Sequence, residues 1–244
     1  VHIPGCSHND ASRRLAQYRR TLDEDWRVRW SMLLVAKKLR GQKRMLVRAL
    51  ARRPDQRYPL IRAIKALENR LAALRESGCN RDRIRGLEGA AAAAYFSGYC
   101  SLFPPVLEFS GRNRRPPKDP VNACLSLAYT LAHADAVQAI HAAGLDPMLG
   151  FYHDVAFGRE SLACDLIEPL RPGIDDWVWT LFRERQLRAD DFSLDKGACL
   201  LNKAGRRTFY TTWEQSVAHN RRQLRRYARV LVRSLQATEE TGEC

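Results

Sequence analysis

The sequence predicts a mainly α, multi-helix protein with at most a short hairpin near 192–211. Three observations carry this. Apolar residues recur at spacings of three and four along most of the chain, an unbroken run Ala90–Ala94 favours helix over strand, and Pro- or Gly-containing breaks divide the chain into helix-length pieces. Residues 1–12, with Pro4, Gly5, Ser7, Asn9 and Asp10, show no apolar period and read as a linker or the remnant of an upstream domain, leaving 13–244 as the helical domain. From Arg13, the positions Leu15, Tyr18, Leu22, Trp26 and Trp30 predict one helix face. A second helix is predicted over about 59–76 on Leu60, Ile64, Leu67, Leu71 and Leu74, with Ser77-Gly78 as its stop. A third starts near Arg81, carries the alanines, which permit close packing, and ends before Pro104. Residues 109–121 hold Pro116, Pro117 and Pro120 and read as a loop, followed by a helix from Asn122 to Ala142 that Gly144 terminates. Residues 145–160 read as irregular. Ser161 is the expected N-cap of a helix to about Leu170, a further helix is expected over Ile174–Arg188, and a basic helix over about Thr212–Leu235 closes the chain.

Composition bounds the function. With 244 residues and 45% apolar content the chain can bury a core, which excludes wholesale disorder. A net charge of +14 points to an anionic partner, either nucleic acid or an anionic membrane surface. A membrane span is not expected, because the longest uncharged window, Gly89–Leu107, is broken by Pro104 and Pro105. Seven cysteines without a CxxC pair argue for neither a disulfide framework nor a zinc ribbon, and a reducing cytoplasm is the expected compartment. No signal peptide opens the chain, and Val1 in place of a start methionine suggests a piece of a longer protein.

Three places hold chemistry-bearing residues. Glu88 enters the alanine run, where a carboxylate is expected to be at least half buried and to need a positive partner. Arg83 or Arg85 in a salt bridge and a metal ion are equally open answers. His153 follows an irregular segment and reads either as a hydrogen-bonded structural residue or as a ligand. Asp165 and Glu168 stand at i, i+3 beside the stripe Leu162, Leu166 and Leu170, and taken alone read as a solvated acidic edge. Together, carboxylates and an imidazole suit a hard divalent ion such as Mg²⁺ or Mn²⁺, and metal with phosphate is the usual setting for acidic groups in a basic chain. Between Arg13 and Arg57 there are 15 basic and four acidic residues, an imbalance unlike a merely solvated face. The loop Arg112, Arg114, Arg115 and Lys118, held extended by prolines, can follow a phosphate backbone.

The motifs then resemble one family. Gly86-Leu87-Glu88-Gly89-Ala90-Ala91 with Tyr95-Phe96, the block Arg115–Ala123 with Leu127 and Tyr129, and Gly150-Phe151-Tyr152-His153 with Gly158–Pro172 resemble, in order and spacing, the CRISPR-associated integrase of spacer acquisition. The similarity runs from about Arg13 to Leu235. It implies that Glu88, His153 and Glu168 are the metal ligands, with Asp165 a supporting catalytic residue, and that Arg171 joins the loop cations in contacting DNA. It also implies an integrase and endonuclease that uses Mg²⁺ or Mn²⁺ to insert DNA into a CRISPR array. In that reaction a 3′-hydroxyl attacks a phosphodiester, with no nucleotide cofactor. The resemblance implies a homodimer working with a small second CRISPR adaptation protein in a prokaryotic cytoplasm. Two departures stand out: only residues 1–12 precede the first helix where the family carries a small β-rich domain, so either that upstream part is missing from this chain or something else, such as a reverse transcriptase, is fused there, and Asp154 follows the histidine where relatives carry a small polar residue. A non-catalytic DNA-binding structural subunit is the alternative reading, and an RNA-binding helical adaptor a weaker one resting on charge alone.

Overall fold

The computed structural model describes residues 11–76, 78–113 and 115–237. The expected linker over 1–12 therefore lies outside the described residues apart from Ala11 and Ser12. In chain order the elements are α1 (Ser12–Leu22), α2 (Glu24–Arg52), α3 (Arg57–Ala73), α4 (Arg81–Cys100), α5 (Pro120–Ala142), α6 (Ser161–Ile167), α7 (Arg171–Arg183), β1 (Phe192–Asp195), β2 (Ala198–Leu201) and α8 (Lys203–Gln236). The mainly α expectation holds, and the hairpin lies where it was expected. The chain forms two compact units. The first comprises the described residues of Val1–Leu34, Leu131–Glu168 and Val217–Cys244; the second comprises those of Val35–Thr130 and Pro169–Ser216.

In the first unit, the single helix expected through Leu15 and Trp30 is broken at Asp23. That carboxylate accepts the Trp26 amide at 2.9 Å, capping α2, and the hydrogen bond holds its pKa below the ordinary value. The apolar stripe of α1 stays outward in part, with Leu22 89% exposed. Trp26 and Trp30 of α2 stack on each other and meet Phe151 edge-on, so the irregular 145–160 segment is anchored by aromatic contact. Gln17 of α1 reinforces it, donating to the Asp146 and Leu149 carbonyls and accepting the Asp146 amide.

In the second unit, α3 begins at Arg57 rather than Pro59, because the 3-10 turn Pro54–Gln56 leads into it and a proline is tolerated in a first turn. Asn80 caps α4 by accepting the Arg83 amide at 2.8 Å. Of the alanine run only Ala91 is fully buried; the tight approach between α3 and α4 falls instead at Gly98, against Ala63. α7 starts at Arg171 and stops at Arg183, earlier at both ends than the expected Ile174–Arg188, since Pro172 fits the first turn. The hairpin turns through Lys196 and Gly197, both at positive φ, as the twist of a two-residue connection requires. α8 starts at Lys203, nine residues before the expected start, because Asn202 caps it by accepting the Gly205 amide at 2.9 Å. No helix among the described residues is long and apolar enough to cross a membrane.

Candidate metal centre

His153 is held by Asp165. The Asp165 side chain is fully buried and accepts four hydrogen bonds: Oδ2 takes the Phe151 and Tyr152 amides at 2.6 and 3.0 Å, and Oδ1 takes the His153 amide at 2.9 Å and its Nδ1 at 2.7 Å. A carboxylate brings no proton to the last bond, so Nδ1–H donates and the Nε2 lone pair is left for an electrophile. The ring remains 28% exposed, enough for a ligand to reach it. Gly150 makes this wrapping possible, since a Cβ there would lie 2.7 Å from the Ser161 carbonyl carbon and 2.9 Å from the His153 oxygen. Asp154, flagged in the sequence as an added carboxylate, is engaged by Arg27 at 2.8 Å, and its main-chain oxygen accepts from Ser161 Oγ and Arg159. Ser161 thus tethers the loop and does not cap α6, whose N-cap residue is Glu160.

The reading of Asp165 and Glu168 as a solvated edge is overturned: they are 0% and 4% exposed. Leu162, Leu166 and Leu170 beside them are buried as expected. Glu168 lies past the end of α6, in the 3-10 turn Glu168–Leu170, so the two carboxylates do not share one regular helix face.

Glu88 belongs to the other unit. On α4 it is bound by Lys38 of α2, Nζ to Oε1 at 2.5 Å, with the two side chains 10% and 20% exposed. The expected partners are taken elsewhere: Arg83 binds Glu76, and Arg85 approaches Asp82 at 3.4 Å. Lys38 gave no sequence signal, because one more lysine in a basic helix is indistinguishable from its neighbours. Among the described residues no three His, Cys, Asp or Glu side chains are grouped so as to hold a metal ion. The donor set itself fits Mg²⁺ or Mn²⁺, being carboxylate and imidazole, and the carboxylate on Nδ1 of His153 is the usual support of a metal-ligating histidine.

Of the expected DNA contacts, Arg115 and Lys118 are exposed, and Arg114 lies outside the described residues. Arg112 is tied inward, to Asn122 Oδ1 at 2.7 Å and Ser126 Oγ at 3.1 Å. Arg171 lies over the Tyr129 ring at 4.4 Å. Beneath that ring is a network the sequence did not disclose. Asp175, 1% exposed, accepts from Tyr129 and from Tyr95 at 2.8 Å, while Tyr99 donates to its main-chain oxygen at 2.8 Å. Burial pushes the Asp175 carboxyl up to about 6, against the pull of the two phenols, Arg171 and Lys38. The one available signal was an aspartate directly after Ile174 and before the apolar Trp177-Val178-Trp179.

The fold and site define a basic helical protein in which a buried carboxylate holds a partly exposed histidine. Residues 2–215 match the family model described as CRISPR associated protein Cas1. The chain is 40% identical over 227 residues to CRISPR-associated endonuclease Cas1 1 of Thermodesulfovibrio yellowstonii, covering 90% of this chain and 69% of that one. It is 40% identical over 200 residues to CRISPR-associated endonuclease Cas1 2 of Rhodospirillum rubrum, covering 78% of this chain and 58% of that one. The fold superposes on a casposase bound to integration product with a TM-score of 0.78 at 23% identity, covering 93% and 67% of the two chains. It also superposes on a chain of a partial Cas6-RT-Cas1–Cas2 complex, with a TM-score of 0.84 at 23% identity and coverage of 96% and 74%. The chain belongs to the Cas1 family.

Proposed function

We propose that this protein is a divalent-metal-dependent DNA strand transferase and endonuclease that inserts spacer DNA into a CRISPR array. The observation that carries the reading is the Asp165–His153 pair, which sets the imidazole tautomer while the ring stays partly exposed. Glu88, His153 and Glu168 are the proposed ligands. When bound, Mg²⁺ or Mn²⁺ supplies Lewis acidity toward the hydroxyl and the scissile phosphate. The reaction is a transesterification: the 3′-oxygen of incoming DNA forms a bond to phosphorus, the phosphorus–oxygen bond at the repeat boundary breaks, and the proton lost by the attacking hydroxyl is balanced by one gained by the leaving oxygen. Asp165 fixes the tautomer of the unprotonated ring, with the proton on Nδ1, and holds its orientation. Glu168, in its turn after α6, and Glu88, on α4, supply the negative charge, and Lys38 must release the Glu88 oxygen it holds for that oxygen to become a ligand. Arg115 and Lys118 hold DNA by its phosphates. The same reading includes DNA, a second copy of the chain and a small adaptation protein as partners, in a prokaryotic cytoplasm. The relationship to Cas1 endonucleases and the likeness to a chain of a complex named with Cas2 support it.

The test is strand transfer of a labelled prespacer into a leader–repeat duplex in Mn²⁺, with duplex binding measured in parallel. Glu88→Ala, His153→Ala and Glu168→Ala are each expected to lose transfer while keeping duplex affinity within about threefold. A variant that integrates at the wild-type rate removes its residue from the ligand set. The Lys38–Glu88 pair favours one other reading, a non-catalytic DNA-binding subunit in which the carboxylate only balances a lysine. That reading requires the wild-type chain to bind DNA and to transfer none.

A further inference from the structure

The outward face of α3 presents a hollow of about 400 Å³ lined by Arg57, Tyr58, Ile61, Arg62 and Lys65. The spacing of these residues follows one side of the helix. The opposite side is spent on the core, with Leu60, Ala63 and Leu67 at 0%, 3% and 0% exposure. Tyr58, by contrast, is 78% exposed, and Arg57, Arg62 and Lys65 are exposed and make no ion pair among the described residues. The nearby carboxylates are committed elsewhere: Asp55 takes Arg53 at 2.6 Å, and Glu68 takes Lys43 at 2.6 Å. Other cations of this unit do have acids, as Arg48 has Asp176 and Arg83 has Glu76. Three uncompensated cations around an aromatic ring lack an anion and a flat partner at once, and a nucleotide supplies both.

We infer that this face of α3 seats an unpaired stretch of DNA, with a base stacked on Tyr58 and the flanking phosphates on Arg57, Arg62 and Lys65. The inference rests on the DNA-processing reading above but concerns residues other than the proposed ligands. Single-stranded rather than duplex DNA is indicated because a base already stacked in a helix offers no free face to an exposed ring. An anionic membrane surface fits less well: Ile61 is the one aliphatic side chain of the hollow, too little to insert beneath head groups. The volume lies in the range of a small-ligand site, enough for a nucleoside with its phosphate.

The experiment compares labelled oligothymidine, a blunt duplex and a forked duplex by fluorescence anisotropy across a salt series. Tyr58→Ala is expected to weaken oligothymidine and forked DNA about tenfold, within the range for one stacked base, while leaving the blunt duplex unchanged. Tyr58→Phe is expected to keep wild-type affinity. Replacing Arg57, Arg62 and Lys65 together by Gln should flatten the log–log salt dependence for oligothymidine by about 2, at about 0.7 per lost phosphate contact. Crosslinking to an iododeoxyuridine oligomer should label the Tyr58 peptide. Unchanged oligothymidine affinity in Tyr58→Ala, an equal loss for blunt duplex, or crosslinks confined to other peptides each overturns the inference. The two readings separate. If the wild-type chain transfers no strand but holds oligothymidine through Tyr58, the seat stands and the catalytic proposal falls. If it transfers strands but does not bind oligothymidine, the reverse holds.

Discussion

At the scale of the residue, Asp165 carries more than its neighbours. Its two oxygens collect four donors from three successive residues, and in Asp165→Asn one oxygen becomes an NH2 group, so two of the four lose their acceptor. Hydrogen bonds to a buried charge are worth about 1.5–3 kcal/mol each. We therefore expect Asp165→Asn to lower stability by roughly 3 kcal/mol in urea melts, and to abolish transfer by releasing the His153 ring. The i, i+3 spacing and the apolar stripe made Asp165 and Glu168 visible in the sequence, but a spacing cannot reveal that one carboxylate is wrapped by the backbone it precedes in space and follows in sequence. Glu88 was legible as a buried carboxylate in need of a cation. Its partner was not, because Lys38 is 50 residues away and only the packing of α2 against α4 within their unit selects it. A surface change of similar chemistry should be far milder: Arg83→Ala, which removes an exposed pair with Glu76, is expected to change stability by less than about 1 kcal/mol in the same melts.

At the scale of elements, Asp175 pins α7 to α4 and to the first half of α5 through Tyr95, Tyr99 and Tyr129. Its carboxyl, raised from 3.8 to about 6 by burial, binds a proton more tightly folded than unfolded. The stability this contributes is full below about pH 4 and is lost as pH rises through about 6, a difference on the order of 3 kcal/mol. Other carboxylates lose stability in the opposite direction on acidification, so the reading is a comparison. From pH 4 to pH 7, Asp175→Asn should gain on wild type by about that amount in urea midpoints. In Tyr129→Phe, which removes one phenol that favours the ionised form, the transition should shift to higher pH. A constant difference between wild type and Asp175→Asn would show that Asp175 does not titrate in this range. The helices themselves were legible because apolar periodicity reports the core directly. Two of the displaced boundaries share a cause. Asp23 and Asn202 place helix starts through a single side-chain bond each, and periodicity averages over such local events.

At the scale of the whole molecule, an excess of 14 positive charges makes DNA affinity steeply salt-dependent, and the structure divides the cations into tethered and available ones. Arg112 is tethered by Asn122 and Ser126, whereas Arg115 and Lys118 are exposed. Replacing Arg115 and Lys118 by Gln should lower the duplex salt slope by about 1.8, and an unchanged slope would move the duplex path off this loop. A second whole-molecule quantity is the response of stability to metal. An ion that binds only the folded chain raises its stability by about 2.7 kcal/mol at a free concentration 100 times its dissociation constant. For a chain of this size that corresponds to roughly 5–10 °C in melting temperature. Glu88→Ala should abolish that rise if Glu88 is a ligand. Charge repulsion alone would also have the variant stabilise the metal-free protein, but the Lys38 ion pair reverses the sign. Without Glu88 a lysine with a 10% exposed side chain loses its carboxylate, so the metal-free variant should melt below wild type. Four melts decide the matter, wild type and variant each in EDTA and in Mn²⁺. The expected pattern is a lower baseline for the variant and a Mn²⁺ shift in wild type alone. Equal shifts in both proteins would exclude Glu88 from the metal site and leave it as the counter-ion of Lys38. A variant that melts at the wild-type temperature in EDTA would mean that the ion pair contributes nothing to the metal-free fold, so Lys38 could be drawn away from Glu88 at no cost when a metal binds.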